Sequence, residues 1–325
     1  MMLGVIGGGA WGTALAQLAA ADGDAVKLWV RETEVASSIN LAHENRVFLP
    51  GIALSPTIFA TTDLGTLDTC EALLVVAPAQ HVGRVLAETP VGTRPLILCA
   101  KGIEASTGRL MSEVAAALHP RAPLAVLSGP TFAHEVAGGK PTAVTLATRD
   151  AALGSALAAR LARPTFRPYL SDDVIGAAIG GAVKNVIAIA CGVIAGLKLG
   201  ENARAALIAR GFAEMTRFGV ARGGRAETLA GLSGLGDLVL TCASMQSRNF
   251  SFGVALGEGA RADALIGNGL SIAEGAFTAP VLAREAKRLG VEMPIVEALR
   301  AMIEDARPAV EIVDALLARP LRAEA

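Results

Sequence analysis

Aromatic residues are scarce: they make up 4% of the 325 residues, with one tyrosine and two tryptophans. Cysteine is equally thin. Cys70, Cys99, Cys191 and Cys242 lie far apart with no Cys-x-x-Cys pair, and Cys99, Cys191 and Cys242 sit in apolar surroundings. This excludes a disulfide framework or a zinc site and predicts buried thiols in a reducing compartment. The four histidines (His43, His81, His119, His134) share no ligand-like spacing, so no metal site is expected. A net charge of −1 with no Lys/Arg block argues against a general nucleic-acid binder. Residues Met1 to Ala21 are uncharged, yet no positive segment precedes Asp22, so a secretory signal is not expected either.

What is present is apolar residues and glycine. A hydrophobic fraction of 52% excludes a disordered chain, and the length predicts about two domains. The 36 glycines amount to roughly 11% against a usual value near 7%. Such an excess calls for an explanation in backbone geometry. The longest apolar run, Val174 to Leu197, is interrupted only by Lys184 and Asn185. It is long enough to span a bilayer, but a central Lys costs roughly 2.5–3.5 kcal/mol there. A buried helix of a soluble protein is the expected reading.

Leu3-Gly4-Val5-Ile6 is a short apolar run suited to a buried parallel strand. Gly7-Gly8-Gly9-Ala10-Trp11-Gly12 follows, matching G-x-G-x-x-G with Gly7, Gly9 and Gly12, and then a run of helix formers from Thr13. Strand, glycine turn and helix form the context in which this motif holds a dinucleotide pyrophosphate. The second strand, Ala25 to Val30, ends at Arg31, with Glu32 beside it. An acid at this point binds ribose hydroxyls, whereas Arg pairs with a 2′-phosphate, so Arg31 favours NADP or tolerance of both cofactors; the alternative is a solvated residue at a strand end.

Further apolar runs at Ala72–Ala77, Leu96–Ala100, Leu124–Leu127 and Ala143–Ala147 alternate with helical stretches. They predict a mostly parallel, doubly wound sheet with ligands at the carboxyl strand ends. Those ends carry Pro78-Ala79-Gln80, Lys101-Gly102 and Ser128-Gly129-Pro130-Thr131. Lys101 is suited to a phosphate or substrate oxygen, and Thr131 to capping a helix that begins at Phe132.

From about Ser171 the strand pattern stops, and Ser171 with Asp172 and Asp173 reads as the start of a long helix. On that helix Lys184 has Gly180, Gly181, Ile187 and Ala188 as its neighbours at three and four positions, none of them acidic. The small residues admit close approach of a backbone or ligand. Desolvation there lowers a lysine pKa toward neutrality, which suits a general acid/base; the bland reading is a lysine snorkelling to solvent. Asp237, alone among glycines and aliphatics, needs a cation, and Lys184 is the natural candidate. Gln246-Ser247-Arg248-Asn249 concentrates donors suited to a phosphate. Arg204, Arg210, Arg217, Arg222 and Arg225 read as solvated or domain-contact residues.

Six ordered blocks together resemble the bacterial NAD(P)-dependent sn-glycerol-3-phosphate dehydrogenase family, from the first strand to about residue 305. They are Gly7–Ala14, Ala100–Glu104, Ser128–Ala133, Gly180–Val186, Gly234–Leu238 and Gln246–Asn249, with a turn-like Ile272–Gly275 completing the set. The resemblance implies an α/β Rossmann-type doubly wound sheet over residues 1–170 and an all-α substrate domain over 171–325. It implies reversible hydride transfer between C2 of glycerol 3-phosphate and NADP or NAD, mainly reducing dihydroxyacetone phosphate for phospholipid synthesis.

By the same resemblance Lys184 is the proton acceptor. Lys101, Gly129, Thr131, Asp237, Ser247, Arg248 and Asn249 match substrate positions. Ala10, Trp11, Arg31, Lys101, Ala133, Arg248, Ile272 and Glu274 match cofactor positions, beside the glycines of the motif. Ala273 and Phe277 depart from the family pattern near Glu274. A cytoplasmic enzyme acting on a small phosphorylated molecule is expected, without integral membrane association and with a homodimer left open. The alternatives are a related 3-hydroxy-acid or ketopantoate dehydrogenase and a non-catalytic NADP sensor.

Overall fold

Short apolar runs bury both faces of a strand only if helices cover the sheet on either side, and the chain folds accordingly. The computed structural model describes residues 1–267 and 273–318. Eight strands form one sheet: β1 (Leu3–Ile6), β2 (Val26–Trp29), β3 (Ile58–Thr61), β4 (Ala72–Val75), β5 (Leu96–Leu98), β6 (Leu124–Ser128), β7 (Thr142–Ala147) and β8 (Phe166–Ser171). Their order is β3-β2-β1-β4-β5-β6-β7-β8, and only β6 and β7 pair antiparallel. The order reverses at β1, which pairs with β2 on one side and β4 on the other. That switch point is where an open α/β sheet offers a crevice.

The helices among the strands are α1 (Ala10–Ala19), α2 (Thr33–Ala42), α3 (Ala79–Glu88), α4 (Met111–Leu118), α5 (Ala133–Ala137) and α6 (Ala151–Leu161). The rest of the described chain is helical. It comprises α7 (Val174–Gly196), α8 (Glu201–Ala221), α9 (Ala226–Leu229), α10 (Asp237–Cys242), α11 (Arg248–Gly257), α12 (Ala262–Gly267), α13 (Glu274–Arg288), α14 (Pro294–Glu304) and α15 (Ala309–Leu317). The expected class, a doubly wound sheet followed by an all-α domain, is what the chain adopts.

Two strands are additional to the sequence reading, β3 and β8, and both lie at sheet edges. Phe59 of β3 and Tyr169 and Leu170 of β8 are exposed, the last two on opposite faces of the strand, and β8 contains Pro168. An edge strand tolerates proline because one row of its N–H groups needs no partner. Ser171 therefore closes β8 instead of capping a helix. The cap of α7 is Asp173, whose carboxylate accepts the Gly176 N–H at 2.8 Å.

Helix α7 ties the two halves together. Ala177 packs in a core beneath the sheet, whereas Val183 and the residues after it lie in the helical core. The segment after β5 crosses the other way, since Ile103 and Leu110 are buried within the helical core. Arg222 adds a polar contact between the halves. It donates two bonds to Glu113 of α4, at 2.9 and 2.8 Å, and one to Glu285 of α13 at 3.3 Å. Arg225 pairs with Asp172. All four cysteines are buried free thiols.

Candidate active site

The glycine turn is built for close approach. Gly7 has φ +124°, a left-handed conformation that disfavours any side chain, and its N–H bonds the Trp29 carbonyl at 3.0 Å. A Cβ on Gly12 would lie 1.8 Å from the Gly7 carbonyl oxygen, so only glycine lets α1 begin this close to β1. A Cβ on Gly9 would meet no protein atom within 4 Å, so the turn faces open space there. Gly9 is also the N-cap of α1 and carries no side-chain cap, which leaves the first N–H groups available to an anion.

Two further observations fit a bound dinucleotide. The indole N–H of Trp11 is buried without a partner, and α5, which starts at Ala133, packs beside α1. Arg31 stands at the end of β2 and is 70% exposed, paired with Glu32. Asn45, which the sequence reading did not single out, stiffens the turn. Its buried amide donates to the Gly8 carbonyl at 2.9 Å and to the Thr13 hydroxyl at 2.8 Å.

A second cluster forms where the sheet edge meets α7. Lys184 Nζ donates to Asp237 Oδ1 at 2.7 Å and to Thr241 Oγ1 at 2.8 Å. Lys101 Nζ, from the loop after β5, donates to Asp237 Oδ2 at 2.6 Å and to the Gly129 carbonyl at 3.1 Å. Asp237 is fully buried, while Lys101 and Lys184 keep 15% and 9% of their side-chain area exposed. One carboxylate thus balances two amines, leaving the ionised cluster with an excess of positive charge. Burial pulls the Lys184 pKa down to about 8, against the opposing pull of Asp237.

The local sequence explains how these groups meet. Gly180 and Gly181 allow the close approach expected of them. A Cβ at 180 would lie 2.4 Å from the Ser233 carbonyl oxygen, and one at 181 would lie 2.9 Å from Ser128 Oγ and 3.1 Å from Lys101 Cγ. The π-helical turn Leu232–Gly236 leads into α10, so Asp237 is delivered at a helix start and Thr241 one turn later. The Thr241 hydroxyl donates to the Asp237 backbone carbonyl at 2.6 Å. Its spacing of four from Asp237 was a signal available in the sequence. Ser128 Oγ is buried without a hydrogen-bond partner beside the cluster.

The remaining expected residues surround this core unevenly. Ser247 caps α11, its hydroxyl accepting the Phe250 N–H at 3.2 Å. Asn249 bridges halfway to the cluster: its amide donates to Asn185 Oδ1 at 3.0 Å and accepts the Gly275 N–H at 2.9 Å. Arg248 is exposed at the start of α11. Glu274, in the first turn of α13, accepts the Ala79 N–H of α3 at 3.4 Å. Burial raises the Glu274 pKa, and the charge of Arg248 opposes that shift. Thr131 does not cap a helix; its hydroxyl donates to the Gly129 carbonyl at 3.3 Å, and Phe132 is the uncapped N-cap of α5. Ile272 lies outside the described residues.

Comparison with known proteins supports the same chemistry. The chain matches the family models for the N-terminus and C-terminus of NAD-dependent glycerol-3-phosphate dehydrogenase over residues 2–154 and 173–314. It is 60% identical over 322 residues to a glycerol-3-phosphate dehydrogenase (NAD(P)+) of Erythrobacter litoralis, covering 99% of this chain and 97% of that one. It is 60% identical over 323 residues to the protein of the same name in Novosphingobium aromaticivorans, covering 99% and 98%. The crystal structure of glycerol-3-phosphate dehydrogenase from Coxiella burnetii superposes with a TM-score of 0.93 at 37% identity, covering 98% and 99%.

Proposed function

The chain belongs to the NAD-dependent glycerol-3-phosphate dehydrogenase family, and from that premise we propose how its residues divide the work. It is an oxidoreductase that interconverts sn-glycerol 3-phosphate and dihydroxyacetone phosphate with NAD or NADP. The comparisons support neither a 3-hydroxy-acid or ketopantoate enzyme nor a non-catalytic sensor. We place the cofactor domain at 1–170 and the substrate domain at 171–325.

Gly7, Gly9 and Gly12 with Ala10 and Trp11 hold the pyrophosphate end of the cofactor. Arg31 would meet the adenosine ribose, Lys101, Ala133, Arg248 and Glu274 would contact the rest of it, and Ile272 is assigned to it from the family pattern alone. The bound nicotinamide supplies or accepts the hydride. Lys184 moves the proton: its neutral amine takes it from the C2 hydroxyl during oxidation, and its ammonium returns it to the developing alkoxide during reduction. A pKa near 8 keeps both forms accessible at physiological pH.

Asp237 and Thr241 hold Lys184 in place, and Lys101 adds a second positive charge beside the reacting oxygen. Ser247, Arg248 and Asn249 take the substrate phosphate, with Gly129 and Thr131 completing the site. The observation that carries this reading is the buried lysine–aspartate–lysine cluster at the edge of a dinucleotide-binding sheet.

The physiological direction proposed is reduction, for glycerophospholipid synthesis in the cytoplasm. The four reduced thiols are consistent with that compartment. The single long apolar helix among the described residues, α7, is mostly buried in the core. A homodimer is the proposed assembly, to be checked by sedimentation velocity. The deciding assay follows NADPH oxidation with dihydroxyacetone phosphate and, in parallel, with ketopantoate and 3-oxo acids. Turnover with the carboxylates alone would overturn the assignment.

A further inference from the structure

We propose that Glu32 sets the balance between NAD and NADP by competing with the cofactor for the guanidinium of Arg31. This rests on the dehydrogenase reading and names a specificity-determining residue in the same site. After β2, Val30 packs on the glycine turn: a Cβ on Gly8 would lie 2.2 Å from Val30 Cγ1. Arg31 and Glu32 follow at once, so both charges stand at the ribose end of a dinucleotide seated on that turn.

Arg31 Nε and Nη2 both donate to the same oxygen, Glu32 Oε1, at 2.9 and 2.6 Å. Glu32 is the N-cap residue of α2 but makes no side-chain cap bond, so the helix does not consume its carboxylate. Its side chain is 30% exposed and that of Arg31 70%. A pair this open can be rearranged by a ligand at little cost.

The two cofactors ask different things of the pair. A ribose 2′-hydroxyl donates a hydrogen bond, which a carboxylate accepts while Arg31 stays where it is. A 2′-phosphate instead draws the guanidinium away and leaves the carboxylate beside a second anion. Glu32 therefore favours NAD and taxes NADP, and Arg31 does the reverse. The adjacent opposite charges explain how one site serves both cofactors.

The test is a binding measurement independent of turnover. The protein's two tryptophans, Trp11 in the first turn of α1 and Trp29 at the end of β2, flank the site, so their emission follows binding. Wild type and Glu32→Gln are titrated with NADP, NAD, 2′,5′-ADP and 5′-AMP at low and high salt. In Glu32→Gln, NADP and 2′,5′-ADP should bind about three- to tenfold tighter at low salt, with NAD weakened about threefold; the gain should shrink as salt rises.

Arg31→Leu should weaken NADP and 2′,5′-ADP alone. An unchanged NADP:NAD affinity ratio in Glu32→Gln, or an equal loss for both, overturns the proposal; the equal loss would mark a role confined to shaping α2. Glu32→Ala provides a second reading of the same ratio should Glu32→Gln fold poorly. A wild-type protein that binds both cofactors yet leaves dihydroxyacetone phosphate unreduced would sink the dehydrogenase reading and leave this measurement interpretable.

Discussion

In the sheet half, the groups that face the proposed cofactor lie at strand ends and first helical turns, where backbone N–H groups are free and side chains stay partly open. In the helical half, Lys184, Asp237 and Thr241 are buried, on α7 and α10, among apolar neighbours. The first arrangement binds an anion through backbone dipoles and needs little burial. The second must neutralise charge with charge, because an uncompensated ion in a core costs several kcal/mol. The difference teaches that binding and proton transfer are assigned to environments of opposite polarity. Affinity is set where water still reaches, and the pKa is set where it is excluded.

Four changes break or sharpen that contrast, the largest first. Lys184→Arg keeps the charge but cannot cycle a proton near neutral pH, so turnover should fall ~10³-fold. In the wild type, kcat/KM for glycerol 3-phosphate oxidation should rise as pH passes about 8, where the amine becomes neutral. The reductive rate should decline above the same pH. Lys184→Arg should abolish that transition, and an unaltered pH profile would remove Lys184 from proton transfer.

Gly180→Ala tests the helical half by packing alone. Its methyl would overlap the Ser233 carbonyl and push back the turn that carries Asp237, at a stability cost of about 1–3 kcal/mol by urea unfolding. Gly9→Ala is the sheet-half counterpart. Its methyl meets no protein atom, so stability should hold while cofactor affinity drops about tenfold, measured by calorimetry. Equal stability losses in the two variants would erase the contrast.

Thr241→Val has the smallest effect. Losing one acceptor for the ammonium should lower turnover about fivefold, on the order of 1 kcal/mol. The hydroxyl supports the charged form of Lys184, so its removal should also move the midpoint of the pH profile below about 8.

Much of this was legible in the residues themselves. The glycine turn announces itself because strand, motif and helix are contiguous. The partnership of Lys184 with Asp237 could be inferred because each charge lacks any local neighbour. The hold of Lys101 on the same carboxylate could not, since 136 residues separate them and either amine alone would satisfy Asp237. The two edge strands were hidden for another reason: half exposed, they lack the apolar runs that mark the interior strands. Thr131 misled because a threonine suits a cap, whereas α5 begins at Ala133 and the cap position falls on Phe132, one residue beyond the threonine.

The contact between α7 and α11 has a consequence for the proposed site. A Cβ on Gly192 would lie 2.1 Å from the Phe250 carbonyl oxygen, and one on Gly253 would lie 2.0 Å from that of Ile189. The two backbones touch, with no flexible side chains between them to absorb a shift. The residues proposed for the phosphate begin α11, and the amine proposed for the proton sits on α7. The helix pair is thus a caliper whose jaws are locked at one opening. The opening between the two is therefore set by backbone contact, which no change of side-chain rotamer can relax.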